Sequence, residues 1–232
     1  MIIARIETSL TFSNDTKPLT PAHMIYDTLA KGDKKPVPAK VDKPSEPGAR
    51  IKDDERKMLL YWNYSTCQIT FENAEDGIKT IAEIIKLLDR IDCVVPFKKL
   101  SKQIFTTFWV LPVKSEYTFK ALETVYRDCF IKELPLWKNA FDSSILMTIK
   151  SGNRLLNHQS GTMDIAQLQT PTYSIFKRNE QFPKLFIFLS ASIENLEVLE
   201  YSSGKMKDIL ENSFKECYSH ASDFQNLLEA KL

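Results

Sequence analysis

Apolar and polar residues alternate from Ile2 to Phe12, with Ile2, Ala4, Ile6, Leu10 and Phe12 on one side and Arg5, Glu7, Ser9 and Thr11 on the other. A period of two predicts a strand with one buried face. After Ser13-Asn14-Asp15, Thr20 is placed to cap a helix opening at Pro21, with Met24, Ile25, Tyr26 and Leu29 on its apolar side and an end near Gly32. Alternation returns at Met58, Leu60, Trp62 and Tyr64 and, past Ser65-Thr66, at Cys67, Ile69 and Phe71, which predicts a hairpin.

The period then changes. Asn73 with Asp76 forms a capping-box pattern ahead of a helix whose stripe is Ile78, Ile81, Ala82, Ile84, Ile85 and Leu88, with Glu75, Lys79, Glu83, Lys86 and Arg90 on the wet side; Pro96 prevents its extension. Ile104 to Leu111 is apolar on both faces and is the predicted central strand. A second helical stripe follows between Glu116 and Phe130 through Phe119, Leu122, Val125, Tyr126 and Cys129.

From Ser143 to Ser192 the pattern predicts a meander. Ile145, Met147 and Ile149 alternate, Ser151-Gly152-Asn153 turns, Leu155 to Gln159 returns, Ser160-Gly161 turns again and Met163 to Gln169 forms a third strand. Tyr173, Ile175 and Phe176 make a ragged edge piece, and Leu185 to Ala191 is again apolar on both faces. From about Gly204 to the end, Met206, Leu210, Phe214, Cys217, Ala221, Phe224 and Leu228 recur at spacings of three and four. Such a stripe either covers a core or pairs with a second subunit.

Residues 31 to 57 hold four prolines and mixed charges but few aliphatic side chains, and so read as an extended, mobile link within one α+β domain: a mostly antiparallel sheet with helices on one face and a long C-terminal helix. At 232 residues the chain is long enough for a core without disulfide or metal support. The 31 Lys and Arg against 30 Asp and Glu give no bulk attraction to nucleic acid or anionic membrane. Charges in the first seven residues and the lack of a long apolar run point to a cytoplasmic protein without membrane contact.

The chemistry legible in the sequence is sparse. The four cysteines are far apart, with Cys93 and Cys129 reading as core hydrophobes, and the three histidines His23, His158 and His220 are isolated, so no metal is expected. None of the six glycines lies in a phosphate-loop context and no nucleophile elbow occurs, so neither a cofactor nor catalytic residues are assigned. An enzyme site would have to be assembled from Asp164, His158, Glu7 or Glu116.

Two features point to binding. Lys98, Lys99, Lys102, Arg154, Lys177, Arg178 and Lys184 would suit phosphates if folding gathered them beside Trp109, Trp137 or Tyr173. Tyr61, Tyr64, Tyr173 and Phe176 are candidate interface anchors on a sheet surface.

In its layout the chain resembles a sporadically distributed bacterial family of uncharacterised proteins of about this length. The resemblance is carried by the alternation closing on Phe12, the block from Met58 to Val113, and Leu185-Phe186-Ile187-Phe188 with the stripe from Met206 to Phe224. It implies a bacterial cytoplasmic protein, encoded near mobile or phage-defence genes, where accessory subunits are common. The expectation is therefore a non-enzymatic protein-interaction subunit that binds a protein partner or a second copy through Met206, Leu210, Phe214, Phe224 and Leu228. A nucleic-acid binder using the cations is the alternative, and an enzyme the third.

Overall fold

The computed structural model of the chain describes residues 1–13, 48–53, 56–63, 65–113, 116–131, 143–167 and 182–230. Its elements are β1 (Ile2–Phe12), β2 (Gly48–Asp53), β3 (Met58–Asn63), β4 (Thr66–Glu72), α1 (Gly77–Asp92), β5 (Lys99–Pro112), α2 (Phe119–Phe130), β6 (Ser144–Ser151), β7 (Arg154–Asp164), β8 (Leu185–Asn195), β9 (Leu199–Glu200) and α3 (Ser203–Glu229). All pairings are antiparallel, in the order β2-β3-β4-β1-β5-β8-β7-β6, with β9 extending the β5 ladder. The helices bury their stripes on one face of this sheet, as the fold class predicted.

The period-two segments become strands because alternate side chains reach that face: Ile6, Leu10 and Phe12 from β1, and Phe105, Trp109 and Leu111 from β5. Both faces of β5 are buried, since Phe108 and Val110 join a second cluster with Met163, Phe182, Phe186 and Phe188 on the reverse side. A bulge between Ile3 and Arg5 puts Ala4 on that reverse side with Ile2.

Several expectations are corrected. Residues 48–53 form strand β2, outermost on its side among the described residues, with Ile51 buried, so this part of the 31–57 link packs, while the expected helix from Pro21 lies outside the described residues. Asp76 rather than Asn73 caps α1, accepting from the N–H groups of Ile78 and Lys79; Asn73 instead adopts a left-handed backbone with φ of 52°. Ile78 and Ala82 fall outside the buried stripe, which runs through Ile81, Ile84, Ile85, Leu87, Leu88 and Ile91. Ser160-Gly161 is no turn: β7 continues through it, because Gly161 lets the Phe188 ring and the Ser143 carbonyl approach where a Cβ would sit 2.9 and 3.0 Å from them. Cys93 is exposed rather than in the core.

The sheet order contains a repeat that the linear pattern hides. One half reads β1, β2, β3, β4, α1 and is ordered β2-β3-β4-β1; the other reads β5, β6, β7, β8, α3 and is ordered β6-β7-β8-β5. The halves meet at the β1–β5 pair, related by an approximate twofold axis normal to the sheet. Register supports this equivalence: the row Ile51–Leu60–Ile69–Thr8 corresponds to Met147–His158–Ala191–Thr107. Thr8 and Thr107 are both fully buried, donating to the carbonyls of Ile104 (3.2 Å) and Ala191 (3.3 Å). The same equivalence sets Thr70-Phe71-Glu72-Asn73 against Ser192-Ile193-Glu194-Asn195.

Candidate functional site

The described members of the cation set, which would suit phosphates if folding gathered them, are separated. Lys98 and Lys99 are exposed at the start of β5, whereas Lys184 is exposed just before β8, at the other end of an antiparallel pair. With about 3.3 Å per residue, the length of β5 puts these positions some 40 Å apart. Lys102 is bound to Glu194 at 2.6 Å on the reverse side, while Arg154 reaches Glu216 of α3 at 2.9 Å on the helical face. Lys99 also faces Glu200 in the ladder. Lys177 and Arg178 lie outside the described residues, as do Tyr64, Tyr173, Phe176 and Trp137. Trp109 is buried.

The terminal stripe is likewise not a surface. Met206, Leu210, Phe214, Phe224 and Leu228 are all buried in the main core beneath α3, so the core-covering alternative holds and these five do not offer a partner site. The enzyme set does not converge either. His158 lies on the helical face, Glu7 on the reverse side beside Arg5 and Thr70, Asp164 at the end of β7, and Glu116 in an exposed turn.

What folding assembles instead is a polar seam between β7 and the two helices above it. His158 Nδ1 is 2.8 Å from His220 Nε2 of α3, His158 Nε2 is 2.7 Å from Ser160 Oγ, and that oxygen is 2.8 Å from the Tyr126 hydroxyl of α2. Beside it, Glu123 of α2 accepts from Ser143 N–H (2.9 Å) and Thr162 Oγ1 (2.7 Å). Alternation along β7 places His158, Ser160 and Thr162 on one face, and helical spacing brings Glu123 and Tyr126 down onto them.

Burial pushes His158 down to about 4, with the neighbouring His220 adding to the effect. Burial lowers His220 too, against the opposing pull of Asp223. Burial raises Tyr126 to about 12, although its hydrogen bonds to Ser160 and the Ile145 backbone act the other way. A serine on a neutral imidazole has the outline of a nucleophile and base. Yet Ser160, Tyr126 and His158 are essentially inaccessible, so the seam is a structural tie that fixes α2 and α3 over β7.

This tie stands next to a cluster of exposed apolar side chains on β6. β6 is the outermost strand on its side, pairing with β7 without interruption from Ser144↔Gly161 to Ser151↔Arg154, and its outer side meets no strand among the described residues. Leu146 is 74% exposed, Ile149 51% and Met147 44%. Ile145, Met147 and Ile149 share the helical face with Leu156, His158 and Ser160 opposite them, and Ile145 touches the main core. The sequence carried the alternation of β6 but no sign that the strand would lie at an edge. A signal for the seam was present, since His220 lies beside Ala221 at helical spacing from Cys217 and Phe224 of the α3 stripe.

Comparison with family models and with curated proteins finds no match for this chain. Among the described residues, no group of three or more His, Cys, Asp or Glu is placed to hold a metal ion, and no helix is long and apolar enough to cross a membrane.

Proposed function

We propose that the protein is a non-enzymatic interaction subunit that engages a protein through the open edge of β6, by strand addition. The observation carrying this reading is an eight-residue edge strand with three exposed large apolar side chains and an unbroken register. Strand edges are normally blunted by proline, a bulge or charge, because their unpaired backbone groups recruit other strands. β6 contains no proline and no bulge, and its single charge is Lys150. Backbone pairing would supply affinity and the apolar side chains specificity. The accessory role implied by the resemblance in layout fits such an edge.

The test is a photo-crosslinking amino acid at position 146, expressed in the native host, with Lys86 on the exposed side of α1 as control position. The expected result is a discrete adduct from 146 and none from 86. No adduct from 146 would remove the reading.

A further inference from the structure

We infer that the partner strand at this edge is β6 of a second copy, paired antiparallel about a twofold axis through Met147. The inference rests on the edge-binding reading above and specifies its partner. A twofold axis that continues a sheet must be normal to it, so each residue faces one on the same side of the sheet. For two β6 strands this permits registers in which the facing residue numbers sum to an even value.

One register is self-complementary. With Met147 opposite its own counterpart, Ile145 faces Ile149 of the second copy and Ile149 faces its Ile145, giving a continuous six-residue apolar ladder on the helical face. On the reverse side Leu146 meets Thr148, and Lys150 meets Ser144 rather than another lysine. Centring on Thr148 instead sets Leu146 against Lys150 and Ile145 against Ser151, while centring on Leu146 sets Thr148 against Ser144 and moves Ile149 beyond the strand; both break the ladder.

The rest of the fold agrees with this occupant. Ile145 is already continuous with the main core, so the ladder extends an existing apolar layer. The equivalent residue of the other half, Ile51 on β2, is 1% exposed, whereas Met147 is 44% exposed. The molecule also joins its own halves in the same manner, by an antiparallel pair, β1 with β5, about an approximate axis normal to the sheet. The dimer repeats that operation at the outer edge.

Sedimentation velocity over a concentration series tests this with full-length wild type, Met147→Lys and Met147→Glu. Residue 147 meets itself across the axis, so each charged variant opposes like charges and is expected to raise the dimer dissociation constant at least about tenfold. An equimolar mixture of the two is expected to regain a dimer of one Lys and one Glu chain. Circular dichroism guards against misfolding, and position 147 is exposed enough to accept either charge. A wild type that stays monomeric throughout, or a mixture that fails to dimerise when wild type does, overturns the inference. A monomer that still yields an adduct with a different protein from position 146 overturns self-pairing alone and leaves the edge-binding reading standing. A monomer with no adduct removes both.

Discussion

His158 and His220 face each other with Nδ1 and Nε2 2.8 Å apart, an arrangement that holds one shared hydrogen bond only while a nitrogen of the pair keeps its lone pair. Both imidazoles are depressed by burial, His158 to about 4. The unfolded chain therefore protonates the imidazole of His158 near pH 6.5, whereas the folded chain refuses that proton until about 4. Stability is full above pH 6.5 and declines as pH falls through that window. After allowing for solvent screening, the loss for His158 is about 2 kcal/mol. Urea unfolding at pH 7.5 and 4.5 should show it, and His158→Phe should flatten the slope while lowering stability at both pH values by leaving Ser160 short of a partner.

Gly77 sets the crossing of α1 over α3. A Cβ there would sit 2.1 Å from Phe214 Cζ, and all three nearest atoms belong to that ring, which is buried in the core. Gly77→Ala should cost about 1–3 kcal/mol in thermal or urea unfolding despite its better helix propensity. Adding Phe214→Leu should give a double mutant less destabilised than the sum of the singles.

Glu123 is buried and carries two hydrogen bonds that fasten α2 to the entry of β6 and to β7. Glu123→Leu leaves Ser143 N–H and Thr162 Oγ1 without an acceptor and should cost about 2–4 kcal/mol. Glu123→Gln retains one acceptor and should cost less than half of that. Hydrogen exchange should quicken in 143–146 in the leucine variant if the tie is local.

Asp89 holds the start of α3 to the end of α1, accepting from Tyr201 OH at 3.1 Å and Ser203 Oγ at 2.8 Å. Burial and the Asp89 charge together raise Tyr201 well above an ordinary phenol. Asp89→Ala should destabilise by about 1–3 kcal/mol and return the Tyr201 titration, followed by ultraviolet absorbance, towards that of a free tyrosine.

The strands with one buried face were legible because burial and alternation coincide: Ile6, Leu10 and Phe12 in β1, Met58, Leu60 and Trp62 in β3. The long α3 stripe was legible for the same reason. β2 was not, since its one revealing aliphatic residue, Ile51, stands among charges and its strand exists only through pairing with β3. The second meander turn failed because Ser160-Gly161 has turn composition, whereas the glycine serves the Phe188 ring. The burial of the terminal stripe beneath α3 was not legible because a stripe does not tell whether sheet or partner covers it. The open edge of β6 depends on strand order, a non-local property, and the His158–His220 contact spans 62 positions of sequence.

The two-half construction has a consequence for how the chain folds. Within each half the strands join mostly through near neighbours, such as β3 with β4 or β6 with β7, but the seam between halves pairs Glu7 with Thr106 and closes a loop of about a hundred residues. Closing that loop is entropically slow and yields little until both faces are formed. The seam is therefore the pairing with a high loop-closure cost in this fold. The pairing of β1 with β5 that completes one chain is thus of the same antiparallel kind as a pairing that would join two chains.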